Sequence, residues 1–296
     1  MTRNQHQPAA ALKASFANIY NNQDPRAYLT TLVPLEYTIP QQVLPFFQRL
    51  HQLCSEGKDA SAILDVCCSY GINGALLRHH LDIQTWTSHY KNLELSSEQQ
   101  ILADREFFAI RAKPIKPVVF GLDKAANAIR YALETGLMDC GWAEDLEIHG
   151  PSPGLSKALK DVSLIICTGG ASYVGSRTFG RVMAAVDTNQ VWVVSTVIRM
   201  VPYDDIETKL REHGLVTEKL PGVVLLQRRF ASIQEQHDVV SKVEARGFDS
   251  TGLESRGYLC AEIFLSRPAA QISTPPIADL TEVFSRSPNV ATDGVA

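Results

Sequence analysis

Three observations predict an α/β fold built on a doubly wound, mostly parallel sheet. Short apolar runs alternate with helical segments from residue 62 to residue 198. One of those runs, QVWVVSTVI (190–198), is continuously apolar, as expected of a strand covered on both faces. The first run, AILDVC (62–67), breaks into a turn of small residues ending at Gly71, after which a helix begins. A strand, a tight turn and a helix start together set backbone N–H groups around a polar or anionic ligand.

Residues 1–13 are polar and expected to be mobile. Residues 14–53 read as helical with aromatic interruptions, and residues 22–24 before Pro25 read as a helix start with proline in its first turn. The stretch 1–60 is therefore expected to be an N-terminal helical cap over the sheet edge. The alternation then begins: strand 62–67, helix 72–81, a helical insertion at 82–116, strand PVVFGLD (117–123) and a helix that Gly136 stops. A short strand with a loop, WAEDLEI (142–148), a turn at 151–154, strand DVSLIICTGG (161–170), helix 172–186 and strand 190–198 follow.

After Arg199 the order changes. A helix near 203–214 leads to LVTEKLPGVVLLQRRF (215–230), read as two strands around a Pro-Gly turn, hence an antiparallel C-terminal hairpin. A similar phrase recurs, with a helix at 237–247 and YLCAEIFLSRP at 258–268, and the sequence does not decide which copy closes the central sheet. The main domain is expected over 61–267. The Pro, Ser, Thr and Ala of 268–296 predict a disordered tail.

The 296 residues carry a net charge of -4, with a pI near 6.1 and no dense basic patch, so nothing marks a nucleic-acid partner. No apolar run is long enough for a membrane span and the N-terminus lacks a signal-peptide core, so a cytoplasmic protein is expected. Six scattered cysteines without a C-x-x-C pair are expected to be reduced structural thiols, with no metal site. The oligomeric state stays open, a homodimer being one option.

The order strand–DVCCSYG–helix, strand–GLD–helix, AEDLE, strand–TGG resembles the class I S-adenosylmethionine (SAM)-dependent methyltransferases over residues 60–230, and so implies a Rossmann-like fold with SAM as cofactor. The wider pattern resembles a bacterial group of such proteins whose substrate is unassigned. In that family the first strand leads into D-x-G-x-G-x-G. Asp65 matches the acid and Gly71 the last glycine, while Cys67 and Ser69 stand where the first two glycines sit. Glycine serves there for positive φ or close ligand approach, so the substituted turn is expected to relax slightly. The loss also counts against a nicotinamide cofactor, whose pyrophosphate needs closer backbone approach; G-x-G-x-x-G is absent as well. By the resemblance the turn holds the amino-acid tail, Asp123 binds the ribose with Lys124 beside the adenine, Glu144 and Asp145 contact the adenine, and Thr168 and Gly169 form the floor.

Methyl transfer needs alignment more than acid–base chemistry, because the cofactor supplies the leaving group. The expected acceptor is a small-molecule metabolite, methylated on O, N or C. Tyr173, directly after TGG, and His89, as a general base for a hydroxyl or amine, are the candidate catalytic residues. Tyr28 and Tyr37 are candidates to close over the sulfonium through their ring faces, and Tyr20, Arg26, Tyr90 and Arg199 complete the cap and substrate candidates. A non-catalytic SAM-binding sensor or assembly partner is the alternative, favoured by the two missing glycines.

Overall fold

The structure is a computed structural model that describes residues 17–58, 61–90, 94–285 and 290–291. The segment expected to be mobile, 1–13, lies outside these residues. In chain order, α1 (Arg26–Leu32) and α2 (Ile39–Ser55) precede β1 (Ala62–Val66) and α3 (Ile72–Arg78). The insertion holds α4 (Ile83–His89) and α5 (Ser97–Ala109). Next come β2 (Val118–Asp123), α6 (Ala126–Glu134), β3 (Cys140–Ala143), α7 (Pro153–Ala158), β4 (Val162–Thr168) and α8 (Ser176–Met183). The chain ends with β5 (Trp192–Ile198), α9 (Asp204–Glu212), β6 (Leu215–Arg229), α10 (Ile233–Ala245), β7 (Tyr258–Pro268) and β8 (Val290–Ala291).

One sheet runs β3-β2-β1-β4-β5-β7-β6-β8. The first five strands are parallel, β7 is antiparallel to both β5 and β6, and β8 is antiparallel to β6. From β1 the chain winds outward to β3, then returns to β4 and winds the other way. That reversal leaves a crevice at the carboxyl ends of β1 and β4, where open α/β sheets bind ligands. Every residue of β1 and β5 is buried, which requires helices on both faces. Gly121 of β2 lets the Met138 side chain pack close, and a Cβ there would displace it and lie 2.9 Å from Cys68 Sγ.

Three expectations need correction. Helix α2 buries Ile39, Val43, Phe46, Phe47 and Leu50 along one stripe, and that stripe packs on β4 and β6. It is a layer of the sandwich, not a cap over the edge; the covering role falls to residues before α2. The antiparallel C-terminal hairpin is present as β6 against β7, but it does not turn at Pro221 and Gly222. Residues 215–229 form a single strand whose register against β7 jumps between Lys219 and Val224, so Pro221 and Gly222 bow outward as an exposed bulge. Its antiparallel partner is the second copy, β7, which also closes the sheet against β5.

The tail is the third. Residues 269–271 and 277–284 form 3-10 helices, with Leu280 and Phe284 buried and the Phe284 ring 5.5 Å from that of Phe46. Two apolar side chains at helical spacing suffice to dock a segment whose bulk composition looks solvated. Residues 286–289 and 292–296 fall outside the described set. Among the described residues no helix is long and apolar enough to cross a membrane. All six cysteines are free.

Candidate functional site

A cavity of about 710 Å³ opens at the carboxyl ends of the parallel strands, within the roughly 300–1,000 Å³ of small-molecule sites. Cys67 and Ser69 after β1, Asp123 and Lys124 at the end of β2, Glu144 and Asp145 after β3, and Thr168 and Gly169 after β4 all line it. Asp65 and Gly71 do not. Asp65 is fully buried one layer below, where Asn73 Nδ2 donates to both its oxygens at 3.0 and 3.1 Å and to Thr168 Oγ1 at 3.2 Å. Burial pushes its pKa up to about 8, the Asn73 amide pulling it back and the Asp123 charge adding to the rise. Gly71 caps α3 at φ 75°, and a Cβ there would sit 2.9 Å from Ala132 Cβ; its constraint is packing against α6.

The turn does not relax. Cys67 and Ser69 hold φ values of 60° and 50°, the left-handed region that glycine occupies freely. Non-glycine residues pay about 1–2 kcal/mol each for that conformation. Backbone ties hold it: Cys67 N donates to Leu122 O at 2.8 Å, Gly71 N to Cys68 O at 3.0 Å, and Ser69 N to Asp123 Oδ2 at 2.9 Å. Gly170 crosses behind, and a Cβ on it would lie 2.7 Å from Cys167 Sγ and 2.8 Å from Cys67 Cβ. Ser69 Oγ is buried with no hydrogen-bond partner.

Asp123 accepts a second backbone N–H, from Ala125 to Oδ1 at 2.9 Å. Burial pushes its pKa up, and the N–H groups of Ala125 and Ser69 with the Lys124 charge work against that rise. A carboxylate offers about four acceptor sites, so two remain for a ligand's donors. Glu144 and Asp145 lie in a loop, where Glu144 Oε2 accepts from Ser152 N and Asp145 Oδ1 from Glu147 N. Glu147, which sequence reasoning passed over, also lines the cavity and accepts from Gly175 N, Thr178 N and Thr178 Oγ1. Burial pushes its pKa up, but these bonds outweigh it and leave the carboxyl below its ordinary value.

Tyr20, Tyr28, Tyr37 and Tyr173 line the same cavity as a wall of rings. Ring centroids lie 5.6 Å apart for Tyr20–Tyr28, 6.1 Å for Tyr28–Tyr37 and 6.5 Å for Tyr20–Tyr173. The segment before α1 is strapped over the site: Tyr70 Oη donates to Ile19 O and accepts from Asn22 N, while Asn21 pairs twice with Asn127. Arg26 is spent on this strap, forking onto Asp24 and donating to Leu95 O. Burial raises the pKa of Tyr20, Tyr28 and Tyr173, and pushes that of Tyr37 up to about 12. These phenols are therefore hydrogen-bonding and packing groups at neutral pH, not bases.

Three candidates chosen by chemical type lie elsewhere. His89 stacks on Phe107 at 4.2 Å, with Nε2 3.0 Å from Asp104 Oδ1, inside the helical insertion. Tyr90 donates to the same carboxylate and accepts from Trp86, as structural core. Arg199 is buried against Glu254 and donates to Asp249 O. None of the three lines the cavity. Conversely Gln227 and Arg228 of β6 do line it and were missed. The signal available was a polar triplet, QRR, closing an apolar strand.

No family model matches this chain, and no curated protein matches it. The sheet, parallel from β3 to β5 and antiparallel beyond, is the Rossmann-like arrangement expected from the sequence. Among solved structures the chain is similar to the N-methyltransferase NodS of Bradyrhizobium japonicum in complex with S-adenosyl-L-homocysteine (SAH), at 12% identity over 87% of this chain and 98% of that one, TM-score 0.43. A SAM-dependent methyltransferase from Aquifex aeolicus is 12% identical over 86% and 99% of the two chains, TM-score 0.39. The plantazolicin methyltransferase BpumL, in complex with SAH, is 11% identical over 85% and 90%, TM-score 0.38. Likeness at this level carries no residue role and no substrate to this chain.

Proposed function

We propose that this protein is a SAM-dependent methyltransferase acting on O, N or C of a small molecule. The observation that carries the reading is Asp123, a half-buried carboxylate at the end of β2 that lines the crevice with acceptor capacity left over. A pair of vicinal ribose hydroxyls matches that capacity, each oxygen accepting one O–H in a charge-assisted bond. The rest of the donor set fits the same ligand. Ser69 Oγ, buried and unpartnered, suits a polar tail at the β1 turn. Glu144 and Asp145 stand at the edge suited to an adenine amino group.

When bound, the cofactor supplies an electrophilic methyl group and its own leaving group. The work of the chain is then placement. Asp123 and the β1 turn fix the ligand, Thr168 and Gly169 form the floor, and the tyrosine wall shields the reacting end from water. Tyr173 is placed to hydrogen-bond the acceptor, and Tyr28 and Tyr37 to present ring faces to positive charge. Calorimetry with SAM and SAH tests binding, and SAH release in the presence of a metabolite mixture tests turnover. Binding without release under any acceptor would identify a non-catalytic SAM sensor; no binding would end the assignment.

A further inference from the structure

We propose that Gln227 reads the methyl acceptor, and that this acceptor is a small uncharged molecule presenting an N–H or O–H from a flat apolar body. The inference rests on the methyltransferase reading above and names the substrate class of the same site. Neighbours along a strand point to opposite faces, yet Gln227 and Arg228 both line the cavity. The register explains it: Leu226 pairs with Cys260 and Arg228 with Leu259, so Gln227 is an inserted residue at a β-bulge. Bulges of this kind re-aim a side chain beside an active site.

The bulge is clamped from behind. Gln42 Nε2 donates to Leu226 O at 2.6 Å, Leu226 N donates to Gln42 Oε1 at 3.2 Å, and Thr38 N donates to Gln227 O at 3.4 Å. Gln227 is only 3% exposed, and its Oε1 is buried without a hydrogen-bond partner. A buried acceptor left unpaired is costly, and a donor on the ligand is what would pair it. The amide stands against the β4 end, 3.4 Å from where a Cβ on Gly169 would be.

The neighbouring groups set the rest of the ligand's character. Arg228 is forked onto Glu235, at 2.6 and 3.0 Å, so the pair is neutral overall and offers no surplus charge for an anion. The wall facing it is made of the rings of Tyr20, Tyr28, Tyr37 and Tyr173, surfaces suited to a flat partner.

Calorimetry on the full chain loaded with SAH, titrated with 2-naphthol, 2-methoxynaphthalene and 2-naphthoate, tests the assignment. The wild type is expected to bind 2-naphthol about tenfold tighter than the methoxy analogue, with the carboxylate weakest. Gln227→Met should bring the first two within about twofold while SAH binding, which also reports folding, is kept; Gln227→Leu serves if the methionine variant misfolds. Equal binding of naphthol and its ether, a preference that survives in both variants, or a tightest carboxylate would overturn the proposal alone. Failure of SAH to bind the wild type would instead remove the methyltransferase reading, and this inference with it.

Discussion

The backbone N–H of Ser69 donates to Asp123 Oδ2 at 2.9 Å, so the turn after β1 and the carboxylate ending β2 form one unit. One side chain thereby holds the strained turn and presents acceptors to the cavity. Asp123→Ala should weaken SAM binding by about 1.5–3 kcal/mol, the scale of lost charge-assisted hydrogen bonds. Calorimetry checks this, and an unchanged dissociation constant would count against the ribose assignment.

Ser69 combines a left-handed backbone with an unpartnered buried hydroxyl. Ser69→Gly relieves both, and the ligand-free protein should gain about 1 kcal/mol of stability. The same change should weaken SAH binding, because the hydroxyl faces the proposed tail. Thermal unfolding with and without SAH separates the two effects; a destabilised free protein would show that the turn carries no strain.

Asp65 makes stability depend on pH in a specific direction. Its folded pKa, near 8, lies above the ordinary 3.8, so the folded state holds a proton that the unfolded chain has released. The contribution is complete below the unfolded value and is lost as pH rises toward 8. Relative to Asp65→Asn, the wild type should therefore lose stability between about pH 5 and pH 8. Urea midpoints at both pH values measure it, and parallel profiles would mean that Asp65 is ionised in the fold.

The Arg228–Glu235 pair lies almost wholly out of water, at 1% and 3% side-chain exposure. Glu235→Ala leaves a buried guanidinium without its carboxylate and should cost about 3–5 kcal/mol. The double change Arg228→Met with Glu235→Leu should recover most of that loss, since both buried charges go together. Denaturant unfolding distinguishes this from a simple packing defect, in which the double variant would be the worse of the two.

The strands were legible where their chemistry is continuous: β1, β2, β4 and β5 are apolar runs ending at Val66, Asp123, Thr168 and Ile198. That is why eight expected cofactor residues meet in one cavity. Pro221 and Gly222 misled because a bulge and a hairpin use the same residues, and only the partner strand decides between them. His89, Tyr90 and Arg199 carry reactive groups, but their partners, Asp104 on the next helix and Glu254 55 residues on, are fixed by the fold and not by residue type. Gln227 was invisible for the converse reason. Nothing in its residue type reveals that an extra residue in β6 turns it inward.

A crystal structure grown with SAH tests the central claim most directly. The ribose hydroxyls should lie within hydrogen-bonding distance of Asp123, with the amino-acid tail at Ser69. A cavity left vacant at millimolar SAH, or a ligand lodged away from both residues, would contradict it.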